Sequence, residues 1–205
     1  MRRFLAISLA FALASCATLT PPTPQSSATI EAKPAGVWTK GAMIAAANPL
    51  AVEAGLEVLR AGGSATDAAI AVQAALGLVE PQSSGIGGGS FMLHYDAKTG
   101  DVMAYDGREV APAGATERLF LDEAGKPLPF WTAVTSGRSQ GVPGAVAMLH
   151  MAWQDHGKLP WARGWQPAIK LANEGFPISP RFNGVAGALK RFGQPTPDAM
   201  AYLYG

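Results

Sequence analysis

From residue 37 onward the apolar positions fall into blocks of helical or strand period. Asn48-Pro49 predicts a helix start, because an asparagine oxygen can accept a free backbone amide and proline needs no N–H at the first helical position. The helix is expected to run to about Arg60 and to stop at Gly62-Gly63, glycines suited to a left-handed C-terminal turn. Ser64 followed by Asp67 resembles a capping box, and the helix it opens carries Ala68, Ile70, Val72, Ala75 and Leu76 as far as Glu80-Pro81. Both helices are rich in small residues, which lets them approach a neighbouring sheet closely. Gln82 to Ser90 is a tight glycine loop. Phe91 to Tyr95 and Val102 to Tyr105, separated by the turn Asp96 to Gly100, predict a β-hairpin, and Asp106-Gly107-Arg108-Glu109 leaves its second strand.

The pattern then loosens. Phe120 to Phe130 is polar and punctuated by Pro and Gly, hence a loop, and Trp131 to Ser136 is expected to form a short strand. Helices are expected over Pro143 to Gln154, Gln166 to Asn173 (stopped by Gly175) and Ser179 to Arg191. Thr196-Pro197 would begin a last helix, with Gly205 as its cap. Two helices, then strands, then helices make an α+β layered domain, not the regular alternation of a doubly wound sheet.

The first 36 residues read differently. Arg2 and Arg3, the apolar run Phe4 to Leu13 and the small pair Ala14-Ser15 have the three parts of an export signal, too short to span a membrane. Leu13-Ala14-Ser15-Cys16 resembles the lipobox of bacterial lipoproteins, which makes Cys16 the candidate lipidation site and places the protein in the bacterial periplasm, held to the membrane by a lipid anchor. The competing reading is an ordinary signal peptide that leaves an idle thiol. Residues 16–36, with Pro21, Pro22, Pro24, Ser26 and Ser27, then form a tether, and residues 37–205 the folded part. Sixteen basic and fifteen acidic residues, without a basic stripe, argue against nucleic acid as a partner.

Four features invite chemistry. Gly85-Ile86-Gly87-Gly88-Gly89-Ser90 mimics a dinucleotide-binding loop, but the predicted order is helix, loop, strand, the reverse of what a phosphate at a helix N-terminus needs. Gly137-Arg138-Ser139-Gln140-Gly141 matches the G-x-S-x-G elbow of serine hydrolases, although Pro143 and Gly144 disturb the helix that should start at the serine. His94, His150 and His156 lack the spacing of a zinc site. Arg108, one residue past a glycine at a strand end, is placed to hold a carboxylate with its guanidinium fork; Asp106 and Glu109 could equally pair with it on the surface.

Taken together, several segments resemble the γ-glutamyltransferase (γ-glutamyl transpeptidase) family, specifically the N-terminal part of its large chain. They are Asn48-Pro49-Leu50-Ala51, Leu59 through Ala69, Glu80-Pro81 with Ser84 to Gly89 and Phe91, Asp106-Gly107-Arg108-Glu109 with Ala111-Pro112, and Gly141-Val142-Pro143-Gly144. The similarity runs from about Gly41 to Phe182. It implies part of an N-terminal-nucleophile hydrolase with an αββα sandwich, incomplete in this chain. It further implies a precursor that cuts itself into a large and a small chain. The exposed threonine attacks the γ-glutamyl bond of glutathione or a related compound, and water or an amino acid or peptide amine takes the acyl group. Arg108 falls on the family arginine that holds the substrate α-carboxylate. No cofactor and no metal are implied. The nucleophilic threonine motif has no counterpart here, since Thr132, Thr135 and Thr196 sit in other contexts, so no catalytic residue is assigned and the chain by itself is expected to be inactive. Beside this stand two other readings: a non-catalytic exported lipoprotein that serves as a binding module, and a serine esterase using Ser139.

Overall fold

The computed structural model describes residues 41–192 and 196–204. The expected leader, tether and Cys16 lie outside them, as does Gly205. The first helix, α1 (Pro49–Arg60), starts as its sequence dictates: Asn48 Oδ1 accepts the Leu50 N–H at 3.0 Å and Pro49 occupies the first turn. It stops in a full Schellman turn, with Gly62 N–H on the Leu59 carbonyl, Gly63 N–H on the Val58 carbonyl and Gly62 at φ +89°. The second helix, α2 (Ala65–Val79), begins with the capping box: Asp67 N–H donates to Ser64 Oγ and Ser64 N–H to Asp67 Oδ2.

These two helices cross on small residues. Ala51, Ala54 and Val58 of α1 are buried against Ala68, Ala71 and Ala75 of α2, with Ile44, Val72, Leu76 and Leu171 packed around them. The crossing is so close that a Cβ at Gly55 would meet Ile44 and Val72 at less than 3 Å. A core of small side chains gains little per residue from burial, so its strength lies in density of contact. The other side of α2 carries Ile70 into a second cluster with Tyr105, Met148, Leu149 and Ala152, flanked by Trp153, Trp161 and Trp165.

The hairpin forms where it was expected. Strands β1 (Ser90–Tyr95) and β2 (Val102–Gly107) pair antiparallel, from Ser90 opposite Gly107 to Tyr95 opposite Val102. Asp96 closes the turn by accepting the Lys98 and Gly100 amides, with Gly100 at φ +80°. Alternation sorts the strands into two faces. Met92, His94 and Tyr105 turn toward the helices, whereas Phe91, Leu93, Tyr95 and Val102 form an exposed apolar face.

Three expectations need correction. Trp131 to Ser136 is not a strand: Phe130–Val134 is a short helix, α3. Its aromatic and β-branched residues meet no partner strand among the described residues, so the local bonds win; Ala133 N–H reaches the Pro129 carbonyl, and both Thr135 N–H and Thr135 Oγ1 reach the Trp131 carbonyl. The helix expected over Pro143 to Gln154 is α4 (Ala145–His156), shifted by two residues at each end. The one expected from Gln166 starts five residues earlier, as α5 (Trp161–Glu174). Pro160 marks the entrance, and the helix runs on through Pro167. Helices α6 (Pro180–Phe192) and α7 (Pro197–Tyr204) follow, the latter with Thr196 Oγ1 accepting the Ala199 N–H.

Candidate functional site

The residues of interest gather where α2 ends, the glycine loop runs into β1, and β2 releases the chain toward α4. Glu80 closes α2 with its side chain buried, and Oε1 accepts the Asn48 side-chain amide at 3.0 Å. Oε2 accepts from Gln82 and from Arg181 of α6. The Asn48 bond holds this carboxyl down at about 2; burial opposes it, and Ser179, Gln82 and Arg181 add to the lowering. Beyond it, Gln73 Nε2 donates to Ser84 Oγ and to the Gly85 carbonyl, which ties the loop back onto α2. The Gly88 carbonyl accepts both the Gly144 and Ala145 amides at the start of α4. That helix entrance is therefore filled by the protein's own carbonyl.

Glycine is needed here for close approach. A Cβ at Gly89 would lie 2.4 Å from Glu109 Oε2, and a Cβ at Gly144 would lie 2.5 Å from the Gly107 carbonyl oxygen. Glu109 thus lies pressed against the loop, and β2 meets α4 backbone to backbone. Val110 and Val142 extend that contact by an isolated bridge.

Arg108 leaves β2 at this junction with its side chain 68 % exposed. Of the two carboxylates that could have covered it, Asp106 is turned away and accepts the Arg108 backbone N–H at 2.8 Å. Glu109 Oε2 meets Arg108 Nη1 at 3.2 Å, without the alignment of a hydrogen bond. One cavity of about 420 Å³ is lined by Gln73, Gln82, Ser84, the glycines and Glu109. Another, of about 320 Å³, is lined by Arg108, Glu109, Phe120, Arg138 and Ser139. Glu109 lines both. Gln82 Oε1 is buried there with no hydrogen-bond partner among the described residues.

Residues 51–204 match the family described as Gamma-glutamyltranspeptidase. The chain belongs to that family. The glutathione hydrolase proenzyme of Bacillus subtilis (strain 168) is 52 % identical over 139 residues, 68 % of this chain and 24 % of that protein. The glutathione hydrolase proenzyme of Escherichia coli (strain K12) is 40 % identical over 157 residues, 77 % of this chain and 26 % of that protein. The crystal structure of Helicobacter pylori gamma-glutamyltranspeptidase superposes with a TM-score of 0.73 at 35 % identity, covering 80 % of this chain and 46 % of that one. The chain spans about a quarter of the length of these curated relatives. Its α+β arrangement is part of the αββα sandwich of the N-terminal-nucleophile hydrolases, as expected.

Within this gamma-glutamyltranspeptidase segment the serine elbow is not built. Ser139 ends a 3-10 turn (Gly137–Ser139), its one hydroxyl proton is shared between the Val134 and Ser136 carbonyl oxygens, each 2.9 Å away, and α4 starts only at Ala145. The glycine loop leads into a strand, which removes the dinucleotide reading. His94 and His156, far apart in sequence, stack face to face at 3.7 Å between ring centroids. Sequence reading missed this pair, the Glu80 cluster and a second duty of Asp67, whose Oδ2 also accepts the Lys158 and Leu159 amides beyond α4. Only the Ser64–Asp67 spacing hinted that Asp67 was special.

Proposed function

We propose that this chain is the substrate-gripping front part of an enzyme that cleaves the γ-glutamyl bond of glutathione and related compounds. Arg108 is the handle for the α-carboxylate. The observation that carries this reading is the presentation of Arg108: an exposed guanidinium at a strand end, braced on one side by Glu109 and facing a cavity. An exposed ion pair contributes at most about 1 kcal/mol. A substrate carboxylate taken up by the guanidinium fork forms two parallel charge-assisted bonds and displaces solvent without breaking a strong contact.

In this reading the nucleophile is a threonine supplied by the small chain of the same precursor. Its hydroxyl attacks the γ-carbonyl carbon while its own α-amino group takes the hydroxyl proton. The C–N bond to the leaving amine breaks, the amine takes the proton, and water or an acceptor amine then releases the acyl group from the threonine oxygen. Thr135 and Thr196 support the assignment elsewhere, since their hydroxyls serve helix ends. Lipid attachment at Cys16 and a periplasmic location belong to the same proposal. They are read by mass spectrometry of the mature N-terminus.

The test is kinetic. The full reading frame, processed to two chains, should release a chromogenic amine from a γ-glutamyl anilide. Arg108→Ala should raise KM about 30- to 150-fold, equivalent to about 2–3 kcal/mol for a hydrogen-bonded charge. An unchanged KM would leave Arg108 as a surface ion pair, and no turnover by the processed enzyme would remove the activity.

A further inference from the structure

Tyr105 lies on the inner face of β2, three residues before Arg108, and is 6 % exposed. Its hydroxyl oxygen is 2.8 Å from Asp155 Oδ2 and 2.8 Å from His156 Nε2, both at the C-terminal end of α4, and 3.1 Å from Met103 Sδ on its own strand, a much weaker acceptor. A hydroxyl has one proton to give. An ionised carboxylate can only accept, so that proton points at Asp155 and the ring N–H of His156 donates to the hydroxyl oxygen. The His156 ring then stacks on His94 of β1 with an interplanar angle of 7°, and His94 Nδ1 lies 3.4 Å from Thr66 Oγ1 of α2. Both strands of the hairpin are therefore clasped to the end of one helix.

The other end of the hairpin has a different support. Gly107 sits directly on Gly144 and Met148 at the start of α4, so closely that neither glycine has room for a Cβ. The hairpin thus rests on α4 at two points, a backbone seat at Gly107 and the polar clasp at Tyr105. Arg108 projects just beyond the seat. If the clasp is released, the strand can tilt on that seat, and the Arg108 guanidinium, at the tip of a long side chain that leaves the seat, changes direction with it while the Val110–Val142 bridge holds the backbone beyond.

We propose that Tyr105 is a positioning residue for Arg108, acting through its hydroxyl bond to Asp155 at the end of α4. The inference rests on the reading of Arg108 as the carboxylate handle. Burial, with Asp155 second, pushes the Tyr105 hydroxyl up to about 12, so it remains a donor throughout the neutral range.

The experiment is a double-mutant cycle on the full processed enzyme with a γ-glutamyl anilide. Tyr105→Phe keeps the ring in the core and removes the oxygen. It should raise KM about 3- to 10-fold, the scale of one net hydrogen bond, with kcat within about two-fold. In the Arg108→Ala background it should change KM no further. If Tyr105→Phe raises KM by the same factor with and without Arg108, the positioning role is overturned while the Arg108 reading stands. If Arg108→Ala alone leaves KM unchanged, both are overturned. Asp155, on an exposed helix position, offers the same test without touching the core. Asp155→Leu should raise KM like Tyr105→Phe, and Asp155→Asn, which keeps an oxygen for the hydroxyl, should recover most of the loss. Equal KM for these two Asp155 variants would also overturn the proposal.

Discussion

Glu80 and Tyr105 are both buried and both draw partners from distant elements, but the first does so as an anion and the second as a neutral hydroxyl. An anion out of water must be saturated with donors, and Glu80 collects Asn48 from the start of α1, Gln82 from the loop and Arg181 from α6. A hydroxyl needs one acceptor and one donor, which a single helix end provides for Tyr105. The difference bears on what fails when each is lost. Removing the anion strands its donors across three elements, whereas removing the hydroxyl unfastens one surface from another.

Glu80→Leu should therefore give the largest loss of melting temperature of any substitution considered, because Asn48 and Arg181 both lose their acceptor; circular dichroism melts read it directly. A smaller loss for Glu80→Leu than for Tyr105→Phe would reverse the comparison. Next in size is Gly144→Ala, which forces a Cβ onto the Gly107 carbonyl at the seat beside the clasp. Overpacking of this kind costs about 1–3 kcal/mol, or roughly 2–12 °C for a domain of this size. Its effect should exceed that of Tyr105→Phe, and the reverse order would mean that the clasp, and not the backbone seat, carries the hairpin.

The subtlest separation is by pH. The Glu80 carboxyl is lowered from 4.5 to about 2, so its contribution is complete above about 4.5 and is lost as pH falls toward 2. The Tyr105 hydroxyl is raised from 10 to about 12, so its contribution is complete below about 10 and is lost as pH rises toward 12. Melting temperature followed across pH should flatten on the acid limb in Glu80→Gln and on the alkaline limb in Tyr105→Phe. A variant that flattened the opposite limb would show that the charge assignments are exchanged.

Local grammar carried the reading of the helices and of the hairpin. Asn48-Pro49, Gly62-Gly63 and Ser64 with Asp67 each satisfy backbone groups within a few residues, so a linear reading finds them. The same grammar misled at the start of α5, which Pro160 sets five residues before Gln166, and at Trp131, where aromatic and β-branched residues have no partner strand among the described residues to reward them. What pattern alone could not supply was the second partner. Asn48 reads as a cap and not as a donor to Glu80, and Asp67 as a cap and not as the acceptor for Lys158 and Leu159. His94 and His156 are placed together only by the docking of the hairpin on α4. Arg108 was singled out because the family resemblance marked its motif, while the choice of Glu109 over Asp106 as its neighbour depends on the turn at the strand end.

The uncovered apolar face of the hairpin has a consequence during synthesis. Phe91, Leu93, Tyr95 and Val102 are all translated before α4, α5 and the rest of this chain, and even the folded segment leaves them facing water. At about 5–20 residues per second, the stretch from the hairpin to residue 205 alone keeps a sticky strand pair waiting for roughly 5–20 s. An exposed apolar face and strand edge of this kind are prone to aggregate until they find a cover.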